Sequence, residues 1–440
     1  MSTVSMVALA LALSQAPAQP AAQPAQPAAQ PAVKLTLAEA LDAAEKRNLD
    51  MKAALAALDQ ADEISAQAWS YQLPQVKASA QAIRNNKAAF IPGGVFGPDY
   101  IPIVPLHAQQ AKIEASQVLF APSLWFSIRS AHRAEDSAVA QLEGARRAIR
   151  FGVAQAYYGV AATAKAVSAS ERLLEIAQRQ EKDAKVRFDA GTIAKVGLLR
   201  AEIDRARAEQ DLKRARNSHE SMRITLASLL DRPVDFEIVE PPEPTMPGDA
   251  GALEARALAE RPEVAAARAT VDANRASRNA AWAEDLPTVA AFGQHSWSNS
   301  AGLTGGAETW LIGLSASWNL LDGGLRESKI RQNGAKLDEA EARLKKAENQ
   351  VRDDVRQALL DLDSARANAA KSKEQRDLAA ENQRLVDVSY KAGAATAVEQ
   401  ADATAQLRTA EFGAQADELS ARIAALKVQL AVGAKAPVTQ

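Results

Sequence analysis

The sequence predicts a mainly α fold that carries a membrane β-barrel, built from two copies of one unit ordered helix, strand, strand, helical hairpin. Three observations predict it. Segments of the first half recur in the second at constant spacing, each copy holds short stretches of strand period, and the rest of each copy runs far without proline.

Composition sets the limits. Nearly half of the 440 residues are apolar, alanine dominates and aromatic residues make up 5%, which favours long, closely packed helices over a thick core. The formal charge is −2 with acids and bases interleaved, which leaves no basic face for nucleic acid. Cysteine is absent, excluding disulfides, thiolate metal sites, a cysteine nucleophile and lipid attachment through an N-terminal cysteine. His107, His132, His219 and His295 are scattered without metal-ligand spacing, and no phosphate loop or nucleophile elbow is present. Neither an enzyme nor a cofactor site is expected.

Residues 1–18 resemble a secretory signal, with an apolar run from Met6 to Leu13 and small residues at Ala16-Pro17-Ala18. No Lys or Arg precedes that run, so a plain apolar tail stays open as an alternative. Residues 19–33 form a Pro/Ala/Gln linker. Beyond them no apolar run approaches the roughly 18–20 residues of a membrane-spanning helix, so any crossing must use strands.

The first copy spans 34–231 and the second 251–433, with a Pro-rich linker at 232–250 and a tail at 434–440. Leu49-Asp50-Met51 matches Pro262-Glu263-Val264, and Leu73-Pro74-Gln75-Val76 matches Leu286-Pro287-Thr288-Val289. A slightly smaller offset pairs Gln155-Ala156 with Gln357-Ala358, which places an insertion of roughly a dozen residues in the Gly/Pro-rich segment Phe90 to Pro105, read as a surface loop.

Thr36-Leu37-Ala38-Glu39 fits a capping box that opens a helix running on toward Trp69, and Pro74 ends helical geometry. Strands are expected at about 75–84 and 112–121, and again at about 288–298 and 309–321. Trp310 and Trp318 lie eight residues apart, roughly 26 Å along a strand, which suits the aromatic girdles of a membrane barrel. On a soluble sheet the same tryptophans would face a core, and both readings stand at this point. Helical hairpins are expected at about 127–231 and 326–433, broken at Ala190-Gly191 and Ala392-Gly393. Roughly 60 residues in one helix span about 90 Å, so the helices must lie along a rod or tube. Four strands per chain fall short of the eight in the smallest single-chain outer-membrane barrels, and three copies would give a twelve-stranded barrel.

These residues resemble the TolC-type outer-membrane efflux protein family from Leu35 to Gly433. The resemblance rests on the duplicated order, on Leu73-Pro74 and Leu286-Pro287, on Leu320-Leu321-Asp322-Gly323-Gly324, and on Arg187-Phe188-Asp189-Ala190-Gly191 followed by Leu199-Arg200-Ala201-Glu202. It implies a homotrimer with a barrel among outer-membrane lipid and a long periplasmic α-helical tunnel. It also implies a periplasmic adaptor and, through it, an inner-membrane pump, serving efflux or type I secretion. By position, Gly191, Thr192, Ile193, Ala194, Gly393, Ala394 and Ala395 would be the adaptor-contacting tips, though turn residues alone would look the same. Glu399 and Asp402, three apart, would make a ring of six carboxylates at a pore constriction, or lie on a solvated helix face. The competing class is a periplasmic coiled-coil adaptor or scaffold without a pore, which would show one hairpin rather than two full copies.

Overall fold

The computed structural model describes residues 33–92, 100–244, 250–299 and 307–434. The expected signal segment, nearly all of the first linker and residues 435–440 lie outside them.

In chain order the elements are β1 (Val33–Leu35), α1 (Leu37–Arg47), α2 (Leu49–Ser70), β2 (Gln75–Arg84), β3 (Ala89–Pro92), β4 (Tyr100–Val104), β5 (His107–Phe120), α3 (Pro122–Asp189) and α4 (Lys195–Leu229). Then follow β6 (Phe236–Ile238), α5 (Ala250–Glu260), α6 (Pro262–Ala283), β7 (Thr288–Ser298), β8 (Glu308–Ser317), α7 (Leu325–Lys391) and α8 (Ala397–Ala431). The expected order of parts is present twice, with five differences of detail. The first helix breaks at Asn48, whose side chain accepts from the N–H groups of Asp50 and Met51 and so caps a new helix. The first return strand begins at His107 rather than 112, and the second ends at Ser317 rather than 321. The first long helix starts at Pro122 instead of about 127, because proline at the first helical position loses no hydrogen bond there. Finally, the segment read as a plain loop carries the antiparallel pair β3 and β4.

Helices α3 and α7 contain 68 and 67 residues, close to 100 Å each. Shorter helices complete their length in pairs. The Asn48 amide donates to the Leu229 carbonyl at 2.9 Å, seating the start of α2 on the end of α4. In the second copy the matching junction is bridged from α3 of the first, where the Arg147 guanidinium donates to the carbonyls of Glu260 and Gly433, both at 2.9 Å, and so seats the break between α5 and α6 on the end of α8. One end of the molecule is thus a bundle of α2, α3, α6 and α7; the other holds α3, α4, α7 and α8.

The core sits where these pairs meet. Leu37, Leu41, Val153, Tyr157, Leu226 and Phe236 bury one cluster beneath the parallel pair β1–β6, and Leu253, Val264, Val351, Val355 and Val428 bury a second. Tyr157 reaches the Leu35 and Val239 carbonyls with its hydroxyl at 2.8 and 2.6 Å, tying this collar to α3. Burial pushes its phenol up to about 12. No described helix is long and apolar enough to cross a membrane.

Candidate functional site

Two regions carry the arrangement that matters, the sheet at one end and the hairpin tips at the other. The sheet has the order β2-β5-β7-β8, every neighbouring pair antiparallel, so β2 and β8 are its two edges. Because side chains alternate, the register sorts residues into two faces. One face gathers Lys77, Gln81, Lys112, Glu114, Gln294 and Thr309, the other Val76, Ala80, Ile113, Val289, Ile312 and Leu314. Polar partners meet on the first face: Lys112 with Glu114 at 2.7 Å, Gln81 with Gln110 at 2.8 Å and Ser296 with Thr309 at 2.7 Å. The second face is open, with Trp310, Ile312 and Leu314 at 73%, 80% and 72% exposure. An apolar face this bare is a contact surface rather than the outside of a soluble sheet.

Trp310 lies on β8, two residues from the Glu308 end of that strand. Trp318 lies one residue beyond that strand, where its indole N–H donates to the Asp285 carbonyl at 2.9 Å. It shares the helix-to-strand junction with Trp69, Trp125 and Trp282, all exposed, while Trp297 sits near Trp310 at the far end. All six tryptophans therefore occupy the two ends of the strands. Trp69 and Trp282 precede Leu73 and Leu286 by the same four residues, a signal the duplication already contained.

The same junction holds a half-buried ion pair. Asp322 accepts from the N–H groups of Gly324, Leu325 and Arg326, each at 3.1 Å, and from Arg326 Nε at 3.0 Å. Gly323 and Gly324, at φ 70° and 88°, turn the chain into α7, a backbone that side-chain-bearing residues rarely adopt. Burial acts to raise the Asp322 carboxyl, but the donated hydrogen bonds and the Arg326 charge outweigh it and hold the group below its ordinary value. Arg326 also pairs with Asp285 at 2.8 Å.

At the other end, Gly191 and Gly393 take φ 71° and 78°, and the chain closes over each by a bond from Thr192 N–H to the Arg187 carbonyl or from Ala394 N–H to the Ser389 carbonyl, at 2.9 and 2.8 Å. Thr192 adds its hydroxyl to the Arg187 carbonyl, Ile193 packs beside Gly197, and Ala194 and Ala395 lead into the return helices. The structure brings the two tips together through a residue that the sequence reading placed only in the turn. Arg187 stacks 4.5 Å above the Tyr390 ring and donates to the Lys391 carbonyl at 3.1 Å.

Glu399 and Asp402 are both exposed, one turn apart on α8, while the residue that follows each, Gln400 and Ala403, is buried. Glu399 also has a local duty. Its carboxylate accepts from the Thr396 N–H at 2.7 Å and hydroxyl at 2.9 Å, completing a capping box, and these bonds hold it below the ordinary carboxylate range. The signal was Thr396-Ala397-Val398-Glu399, the same pattern as Thr36 to Glu39. Asp402 accepts from the Gln406 amide at 2.8 Å. Among the described residues no group of His, Asp and Glu could hold a metal ion.

A two-faced sheet with open edges, continuous with helices of about 100 Å, defines an outer-membrane channel protein. The chain belongs to the outer membrane efflux protein family, which matches it over residues 40–232 and 253–434. Its fold is shared by a membrane protein from Pseudomonas aeruginosa at 18% identity, covering 90% of this chain and 93% of that one with a TM-score of 0.78. The outer membrane protein VceC from Vibrio cholerae matches at 18% identity, 90% and 96% coverage and a TM-score of 0.76. The CmeC outer membrane channel of Campylobacter jejuni gives 17%, 90% and 85%, and 0.77. No curated protein matches.

Proposed function

We propose that three copies of the chain close their sheets edge to edge into one twelve-stranded barrel, continuous with a periplasmic tunnel of helices, and that this tube is a passive conduit without catalytic activity. The observation that carries the reading is the four-stranded sheet with an apolar face and two unpaired edges. In lipid an open edge leaves backbone groups unsatisfied at several kcal/mol each, and four strands are too few to close alone, so other copies must supply the rest. The polar face then lines the lumen. Strands of 10 or 11 residues reach roughly 35 Å, and tilt brings that near the 25 Å apolar band of such barrels. Trp310 with Trp297 marks one membrane surface, and Trp318 with Trp69, Trp125 and Trp282 the other.

The tips, Gly191 to Ala194 and Gly393 to Ala395, then form the end of the tunnel that meets a periplasmic adaptor and, through it, an inner-membrane pump. Glu399 and Asp402 stand just behind the second tip on a face that the protomer leaves open. Threefold symmetry makes them six carboxylates facing a narrow mouth, which favours cations and resists anions.

Single-channel conductance of the detergent-extracted protein in planar bilayers tests this. Glu399→Gln with Asp402→Asn removes the charge while retaining an acceptor at the cap. Discrete channels whose cation preference falls in the double variant are expected; membrane-inserted protein with no conductance would contradict the conduit, and a chain soluble without detergent would favour the scaffold.

A further inference from the structure

We infer that the seam between copies is a fully overlapped antiparallel pairing of β2 with β8 of the next copy, placing Gln75 opposite the partner's Ser317 and Arg84 opposite the partner's Glu308. The inference rests on the trimer reading above and adds the residues that recognise the neighbouring copy. Both edge strands contain ten residues, Gln75–Arg84 and Glu308–Ser317, so full overlap leaves neither with an unpaired end.

Face matching restricts the register to even steps. A slip of one residue would turn Lys77, Ser79 and Gln81 onto the lipid side and Val76, Ala78 and Ala80 into the lumen. Full overlap also matches size. On the apolar face Ala82, Ala80 and Ala78 fall opposite the partner's Trp310, the partner's Ile312 and the partner's Leu314. All six positions are exposed in the single chain, and alanine at each site leaves room for the large side chain across the seam.

Charge matches as well. Arg84 and Glu308 are exposed, and neither makes an ion pair within the described residues of its own chain. The full-overlap register sets them directly across from one another, at the strand ends that carry Trp297 and Trp310. A slip of two residues would instead oppose Glu308 to Ala82 or leave it without a partner. The ring also closes: within one copy Gln75 is level with Ser116, Phe292 and Gly313, and the seam pairs Gly313 with the partner's Ser79. That advance of about four residues per copy corresponds to a strand tilt of about 35°, at the lower end of the range for membrane barrels.

The natural absence of cysteine makes the test clean. Ala80→Cys combined in turn with Cys at 310, 311, 312, 313 or 314 is oxidised in the detergent-extracted full chain with a copper catalyst and oxygen, then run without reductant. Within one copy these positions sit on opposite edges of the sheet, roughly 14 Å apart, beyond disulfide reach. Covalent trimers are expected with Ile312→Cys, at least ten-fold above any other partner, because directly opposed pairs are close and diagonal ones are not. Arg84→Glu or Glu308→Arg alone should lower the temperature at which the trimer dissociates, and the two together should restore it. Strongest linkage at another position would overturn this register while leaving the trimer intact. No linkage at all in a protein whose native mass is three copies would overturn the seam, whereas a native mass of one copy would remove the trimer reading itself.

Discussion

At the barrel end the first copy enters its long helix through Pro122, with Ala121 as a cap that makes no side-chain bond, whereas the second enters through Asp322-Gly323-Gly324. A ring-locked φ does in one copy what a capping carboxylate does in the other. The tips differ in the same way: α8 opens on the Thr396–Glu399 capping box, and α4 opens on Ala194 with no cap. At the collar the first copy buries Tyr157 and Tyr158, while the second has Leu359 and Leu360 at the matching positions, two and three residues after Gln357, with Leu360 exposed. Duplicated backbones therefore keep their geometry while each copy solves its helix ends with different chemistry.

The largest expected effect breaks the comparison at the junctions. Asp322→Ala leaves three helix-start N–H groups without their acceptor and Arg326 with Asp285 as its one carboxylate partner, so its thermal midpoint should fall well below that of Pro122→Ala; equal losses would mean the carboxylate is incidental. At the collar, Tyr157→Phe should cost about 1 kcal/mol in denaturant unfolding, because the buried hydroxyl's bond to the Leu35 and Val239 carbonyls is lost while the Leu35 carbonyl keeps the Val239 N–H. Leu360→Tyr should stay within about 0.5 kcal/mol.

At the tips, Arg187→Ala should weaken the link between hairpins by about 1 kcal/mol, seen as faster amide exchange around Tyr390 than in wild type. Thr396→Ala should cost about 1 kcal/mol, while Ala194→Ser should gain about 0.5 kcal/mol by supplying the cap the first tip lacks. Unchanged stability in both would dissolve the difference between the tips. Acid sharpens it further. Glu399 is held below its ordinary value, so its cap is intact above the usual carboxylate range and is lost as pH falls through the depressed folded value. Exchange protection at the start of α8 should drop there, with no matching step at the start of α4.

Much of this architecture was legible because periodicity and duplication are local signals. The strand alternation at Val76 to Ala82, the turns at Gly191 and Gly393, and the proline-free runs each show in a short window. What escaped depends on residues far apart in the chain. The break at Asn48 depends partly on the Leu229 carbonyl, the stop at Ser317 places Trp318 on Asp285, and the contact of Arg187 with Tyr390 spans two copies. Glu399 shows a different gap: the capping-box pattern at Thr36 to Glu39 is equally visible at Thr396 to Glu399, but neither a pore lining nor a solvated helix face, the two roles its spacing from Asp402 suggests, points to a cap. The acidic face and the cap use the same side chain, so one role did not announce the other.

The central claim is that each chain supplies one third of a barrel. Native mass spectrometry of the detergent-extracted, full-length protein tests it most directly. A dominant species of three copies that survives release from the micelle is the predicted result, and a folded, membrane-extracted species of one or two copies would contradict it.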